Sequence, residues 1–375
     1  MPVSHDRTPG RAAVLESLDT PLQIADVDYG PLVGDEVLIR VVGVGICHTD
    51  LAAIHGAVPL PLPAVLGHEA SGVVAATGPA ASALAPGDHV VVSFESCRDC
   101  RQCRSGHPAY CARFAALNYR GSRKDGSTTM TRAGEPLHGN WFGQSSFGTH
   151  AVATERNAVK VDPALPLELL GPLGCSLQTG AGAVLNVLRP QAGDSIAVFG
   201  LGAVGLSAVM AARAVDCETI IAIDMNPERL TVATGFGATH VINPAQAEDV
   251  VAAVLAASPR GVDHSVDAVG LSSVVQQAVE VLRSPGTCAT LGLQGPRNDT
   301  VINQGHLLLG RALVGVIEGD ADPHTFIPEL TRLWQAGKFP FDELVRVYPF
   351  DAINDALADA AAGAVLKPVI GFEAT

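Results

Sequence analysis

The sequence predicts an α/β protein in which a β-rich domain is followed by a doubly wound parallel sheet. Three observations carry this. Residues 1 to about 180 are rich in Val, Gly and Pro and break into short apolar runs such as 36–44 and 89–94. Turn signals at Gly34-Asp35 and Pro86-Gly87-Asp88 bound those runs, which is the texture of a β domain. From about 185 the pattern changes to strands alternating with helices, which a parallel sheet covered on both faces satisfies. The length, 375 residues, suits two domains rather than one.

In the second region, Ser195–Phe199 reads as a buried strand and 203–215 as a helix. Thr219–Ile223 is the next strand, with a helix after Pro227. His240–Ile242, 262–268 and 287–291 are further strands, and 247–257 and 273–283 are apolar helical stretches. Beyond 320 the expected elements are helices near 324–336 and 351–362 and a last strand at 366–372. The expected division is 1–183, 184–320 and 321–375. The uncharged run 196–212 approaches the length of a membrane span, but Gly200, Gly202 and Gly205 within it favour a strand, a glycine turn and a helix. A net charge of −14 argues against nucleic acid or an anionic membrane as partner, since both call for a basic surface.

Cys97, Cys100, Cys103 and Cys111 fall within fifteen residues, half of the chain's eight cysteines. Thiolates at such short gaps wrap a tetrahedral Zn²⁺, and four of them leave it no open position, so this block is expected to brace a lobe. Disulfides are the other reading. The N-terminal MPVSHDRTPGRAAV has no apolar run of the secretory kind, so a cytoplasmic, reducing setting is expected, and that favours metal. Arg98, Arg101 and Arg104 either offset the surplus thiolate charge or belong to a solvated loop. Three scattered residues, Cys47, His68 and Cys175, together supply Cys₂His, the donor set of a zinc site with one position open for chemistry.

Gly200-Leu201-Gly202-Ala203-Val204-Gly205 is a GxGxxG run that follows a strand and opens a helix. In a Rossmann dinucleotide site the first glycine permits the turn, the second lets the pyrophosphate approach, and the third allows close packing. Asp224, nineteen residues after Gly205, ends the next strand. Its carboxylate would accept the ribose hydroxyls of NAD and repel the 2′-phosphate of NADP. The alternative for Asp224 is a helix N-cap.

The whole chain resembles the zinc-dependent medium-chain alcohol dehydrogenases. The carrying motifs are GICHTD at 45–50, GHE at 67–69, the four-cysteine block, GCSLQTGAG at 174–182 and GLGAVG at 200–205. PLPAVLGHEASGVV and GPLGCSLQTGAGAVLN are similar to the aryl (benzyl) alcohol dehydrogenase branch. The resemblance implies a GroES-like catalytic domain with an inserted Rossmann domain, two Zn²⁺ per subunit and NAD. It implies that Cys47, His68 and Cys175 hold the catalytic zinc and that Thr49 takes the alcohol proton. Asp50 and Glu69 would stand behind the metal, with Glu69 alternatively a transient ligand. His48 and Lys367 would contact the pyrophosphate and Arg229 the adenosine ribose, unless Lys367 and Arg229 are solvated surface charges. Trp141 and Phe142 fall where relatives line the substrate pocket, unless they are ordinary core, and Pro61, Leu62 and Pro63 would help shape the cleft.

The activity implied is interconversion of a primary aromatic or allylic alcohol and its aldehyde. Short aliphatic alcohols, a glutathione–formaldehyde adduct, or a non-catalytic NAD- and zinc-binding role are the alternatives. Relatives are homodimers or homotetramers, and an edge strand near 308–318 is expected to pair across a two-fold axis. Many relatives carry a histidine where this chain has Ala52, so protons are expected to leave through water or through His55. Cys217 and Cys288 have no assigned role beyond buried thiols.

Overall fold

The computed structural model describes residues 7–372 except 293 and 296. The chain forms two compact units: one runs to Cys175 and takes up Asp322–Pro328 and the chain from Asp342 onward, and the other is Ser176–Ala321 with Glu329–Phe341.

The first unit contains β1 (Thr8–Leu15), β2 (Gln23–Tyr29), β3 (Glu36–Gly45), β4 (Ala64–Val65), β5 (Ala70–Thr77), β6 (His89–Val92), β7 (Met130–Arg132), β8 (Glu135–Leu137), β9 (His150–Thr154) and β10 (Ala158–Lys160). One sheet runs β4-β1-β2-β7-β8; in the other β10, β6, β5 and β3 lie side by side and β9 also pairs with β3. β3 reads as a nearly unbroken apolar run because it is buried on both faces. Val37 and Ile39 pack with Val74, Val90 and Val92. Leu38, Val41 and Val44 pack in a second cluster with Leu66, Phe94 and Phe147.

The antiparallel register of β3 and β5 pairs Val44 with Ala70 and brings Gly45 N–H onto the carbonyl of Glu69 at 3.0 Å. Residues just beyond the end of β3 therefore meet residues just before the start of β5. That juxtaposition builds the site.

The second unit contains β11 (Ser195–Phe199), β12 (Thr219–Ile223), β13 (His240–Ile242), β14 (Val262–Asp267), β15 (Leu282–Thr290) and β16 (Arg311–Gly315). All neighbours are parallel, in the order β13-β12-β11-β14-β15-β16. β11 sits where the strand order reverses, which is where a doubly wound sheet opens a ligand crevice at its strands' carboxyl ends. Helices Ala203–Ala214, Pro227–Gly235, Val250–Ala257 and Ser272–Glu280 alternate with the strands. Two boundaries differ from expectation. The helix expected over 247–257 starts at Val250, because the Asp249 side chain caps it by accepting from Ala252 N–H at 3.0 Å. The helix expected over 273–283 stops at Glu280, because Leu282 already pairs with Val262 in the sheet.

The division between the units also falls earlier than expected, at 175/176 rather than 183/184. The helix Ser176–Gly182 packs on Ala203–Ala214 so closely that a Cβ on Gly180 would lie 1.9 Å from the Val204 carbonyl. The 329–341 stretch likewise belongs to the second unit and buries Leu330, Phe339 and Phe341 completely. The last elements return to the first unit as β17 (Val345–Pro349), helix Ile353–Ala362 and β18 (Lys367–Gly371), with β18 antiparallel to β3. No helix among the described residues is long and apolar enough to cross a membrane.

Candidate active site

Three backbone arrivals assemble the first metal-type cluster. Cys47 follows β3 and N-caps the helix His48–Ile54. His68 and Glu69 precede β5, and Cys175 ends the turn Gly171–Gly174, in which a Cβ on Gly171 would lie 2.1 Å from the Glu69 carbonyl. The donor atoms of Cys47, His68, Glu69 and Cys175 are buried and lie within 4.8 Å of one another. A tetrahedral zinc with bonds of about 2.0–2.3 Å places its ligands about 3.3–3.8 Å apart, so the cluster has dimensions close to those the ion needs.

The sharper test is His68. Its Nδ1 is 2.9 Å from Asp50 Oδ1, while its Nε2 is buried and makes no hydrogen bond. A buried polar atom without a partner is costly unless something on its open side satisfies it. A metal on the Cys47–Cys175 side would do so, and the residues fit one. Electrostatics favour a thiolate at Cys47. A hydrogen bond with Cys175 holds the Cys47 thiol well below its ordinary pKa against burial, helped by His68 and Lys367. Burial opposes a charged His68, yet Asp50 and Cys47 raise its pKa.

Thr49 Oγ1 lies 3.8 Å from Cys47 Sγ and is partly accessible. Asp50 is fully buried, with Oδ2 accepting from Cys47 N–H at 3.2 Å and Oδ1 from Gly67 N–H at 3.2 Å. His48 is exposed. His55 is exposed at the surface and pairs with Asp19 at 2.6 Å.

Two expectations are corrected. Lys367 is not a solvated surface charge. It is buried, with Nζ 2.8 Å from Glu69 Oε2 and 2.9 Å from the Ile46 carbonyl, because β18 pairs with the end of β3 beside the site. Trp141 and Phe142 do not form an open pocket wall. Trp141 is 0% and Phe142 3% exposed. Phe142 stacks on the His68 ring with centroids 4.4 Å apart, and Trp141 Nε1–H donates to Asp50 Oδ1 at 3.0 Å. Phe142 does so at φ 50°, a left-handed conformation that costs a bulky residue about 1–3 kcal/mol.

Sequence reasoning missed Gln144. Fully buried, it donates through Nε2 to the His68 carbonyl at 2.8 Å and accepts from Ala70 N–H at 3.2 Å, pinning the strand that carries His68. The polar run Gln144-Ser145-Ser146 beside two large aromatics was its only signal.

The second cluster, Cys97, Cys100, Cys103 and Cys111, also has all four sulfurs within 4.8 Å of one another. Cys97 and Cys103 are 3.9 Å apart and Cys100 and Cys103 3.5 Å, the edges a Zn–S tetrahedron requires. No cysteine among the described residues is in a disulfide. Backbone N–H groups around Cys100 pull its thiol down to about 6. Of the three interleaved arginines, Arg101 and Arg104 are exposed, whereas Arg98 donates to Asp322 at 2.8 Å and to the Arg156 carbonyl at 3.1 Å and so fastens the lobe. Burial pushes the thiols of Cys217 and Cys288 up to about 12, as inert core residues behave.

In the second unit the glycine loop closes as its spacing predicts. Gly200 has φ +85°, and a Cβ on Gly205 would lie 1.8 Å from the Gly200 carbonyl. At Gly202, by contrast, nothing beyond its chain neighbours lies within 4 Å of where a Cβ would be, leaving open space at the N-terminus of Ala203–Ala214 that would suit phosphate oxygens. Asp224 is not a helix N-cap; Asn226 caps Pro227–Gly235. Asp224 instead accepts from Leu201 N–H at 2.7 Å and Asn226 N–H at 2.8 Å, with Arg229 3.8 Å away. A carboxylate thus stands at the end of β12 beside the glycine loop, as an adenosine ribose requires.

Comparison with known proteins agrees with this geometry. A family model described as an alcohol dehydrogenase GroES-like domain matches residues 34–163, and one described as a zinc-binding dehydrogenase matches 203–335. The chain is 47% identical to a geraniol dehydrogenase of Castellaniella defragrans over 373 residues, covering 98% of this chain and 99% of that one. Among solved structures it superposes on an alcohol dehydrogenase zinc-binding domain protein from Burkholderia ambifaria with TM-score 0.96 at 47% identity, covering 98% and 100% of the two chains. It superposes on a benzyl alcohol dehydrogenase from Acinetobacter calcoaceticus with TM-score 0.94 at 42% identity, with the same coverage.

Proposed function

The chain belongs to the zinc-dependent medium-chain alcohol dehydrogenase family, and on that premise we propose that it interconverts a primary aromatic or allylic alcohol and its aldehyde, using NAD and two zinc ions per chain. The observation that carries the proposal is the unpartnered, buried His68 Nε2 turned toward Cys47 and Cys175. Zinc held there supplies the Lewis acidity that lets an alcohol give up its proton near neutral pH, and NAD supplies the hydride acceptor. Thr49, beside Cys47 and partly accessible, receives the proton. Asp50 keeps His68 protonated on Nδ1, leaving Nε2 free for the metal. Lys367 balances the Glu69 carboxylate within the cluster. Asp224 would take the adenosine ribose, with Arg229 3.8 Å from its carboxylate, and the open space at Gly202 the pyrophosphate, for which His48 is the proposed side-chain contact. The Cys97–Cys111 lobe holds the second zinc for structure alone, and a cytoplasmic, reducing setting keeps its thiols available.

The substrate class is supported by two relatives, one named for geraniol and one for benzyl alcohol. Both alcohols carry a π system next to the carbinol carbon, so the aldehyde product is conjugated. Steady-state rates on benzyl alcohol, geraniol, ethanol and hydroxymethylglutathione, with metal content measured on the same sample, test this. Burying one apolar side group is worth about 1.5–3 kcal/mol, so the first two should exceed ethanol by about 10- to 100-fold in kcat/KM. Preference for ethanol or the glutathione adduct would reassign the substrate, and no NADH from any alcohol at full zinc content would favour a binding protein.

The assembly we propose is a homodimer or homotetramer. β16 is the outer strand of its sheet, and just before it Leu308 and Leu309 are 77% and 64% exposed. An open strand edge with exposed leucines beside it suits pairing with a second copy. Replacing both leucines with Glu should shift the sedimentation coefficient toward that of a monomer; an unchanged value would place the interface elsewhere.

A further inference from the structure

We infer that Trp141 is a positioning residue for the metal-facing histidine, acting through Asp50. The indole Nε1–H and the imidazole Nδ1–H share one carboxylate oxygen, Asp50 Oδ1, at 3.0 and 2.9 Å. Gly67 N–H reaches the same oxygen at 3.2 Å, and Cys47 N–H holds the other at 3.2 Å. Trp141, Asp50 and His68 are at most 1% exposed, so no bulk water competes for these bonds. A carboxylate in that setting takes the orientation its donors dictate. The three donors on Oδ1 dictate one that leaves Nδ1 protonated and Nε2 facing Cys47 and Cys175.

The seat of Trp141 is fixed independently of His68. Trp141 N–H donates to Ser145 Oγ at 2.8 Å, and Ser145 Oγ–H donates to the Val65 carbonyl at 2.7 Å. Asn140 and Ser145, on either side, are left-handed at φ 68° and 50°. The rings of Tyr119 and Phe142 lie 5.6 and 5.1 Å from the indole. The indole is therefore a fixed post against which Asp50, and through it His68, is set. In an ordinary core aromatic the N–H would need only some acceptor; here the acceptor is the group that orients a metal ligand.

The inference rests on reading Cys47, His68 and Cys175 as a metal site, and the test separates the two. Trp141→Phe keeps the ring and deletes the N–H. In protein carrying Co²⁺ in place of zinc, the variant should show a shifted visible ligand-field band and release the ion to a chelator about 10-fold faster, the low end for partners of ligating side chains. Asp50→Asn should do the same, and the double variant should be no faster than Asp50→Asn alone, because both act through one carboxylate. Unchanged spectrum and release in Trp141→Phe, or losses that multiply in the double variant, would overturn the inference. Should Trp141→Phe fail to fold, the unsubstituted protein decides. The chain has two tryptophans, so Trp334→Phe assigns the Trp141 indole ¹⁵N–H resonance, which should move on zinc removal; a resonance indifferent to zinc would overturn it. Unsubstituted protein that binds no ion at Cys47, His68 and Cys175 would instead refute the metal-site reading.

Discussion

Cys175→Ser is expected to lower kcat/KM for benzyl alcohol by ~10³-fold or more. The reason is the donor set. Cys175 shares its cluster with Cys47, His68 and Glu69, so losing its thiolate leaves an incomplete donor set for the ion. Lewis-acid stabilisation by a metal is worth several kcal/mol, and each ~1.4 kcal/mol is tenfold in rate. Cys103→Ser also removes one zinc ligand, but from a closed set of four sulfurs. Structural zinc contributes to folding directly, so that variant should lose stability or assembly while each folded molecule keeps its kcat. Each variant should lose one equivalent of zinc. Metal analysis, thermal unfolding and active-site-normalised kinetics on the pair decide the matter. A stable Cys103→Ser protein without turnover would show that the two sites have been assigned the wrong way round.

Cofactor choice carries the second large effect. The protein is expected to prefer NAD to NADP by about 10²–10³-fold in kcat/KM, because a 2′-phosphate placed against Asp224 meets a like charge. Two unit charges about 4 Å apart interact by about 4 kcal/mol at a near-surface dielectric, before screening by salt. Met225, next in sequence, is exposed and brings no cation, and Arg229 lies within 3.8 Å of the carboxylate it would have to leave. Asp224→Asn removes the charge and keeps an acceptor oxygen for one of the two backbone N–H groups that Asp224 holds, so it should narrow the NAD preference chiefly by improving NADP. Equal use of both cofactors by the unsubstituted protein would refute this role for Asp224.

Much of this site was legible from residue types and spacing. Both clusters were readable from cysteines and a histidine. The glycine loop and Asp224 were readable because a strand, a tight turn and a helix leave a local pattern. The misreadings share a cause. Lys367 reads as a surface cation until β18 pairs beside β3 and seals its ammonium against Glu69. Trp141 and Phe142 sit in a long polar stretch, where an aromatic suggests a pocket wall. Left-handed turns at Asn140, Phe142 and Ser145 instead fold that stretch back behind His68. Gln144 was invisible for the same reason: its partners are backbone groups of residues 68 and 70.

The sequence by itself determined the four-cysteine block, the alternation of strands and helices, and the carboxylate beside the glycine loop, because each depends on residues close along the chain. Only the tertiary structure brought Cys47, His68 and Cys175 together and set Trp141 and Gln144 beside Asp50 behind the histidine. Asp50, Trp141 and Gln144 reach His68 across separations of 18, 73 and 76 residues. Those contacts follow from the register of β3 against β5 and from three left-handed residues, and neither leaves a periodic trace in the sequence.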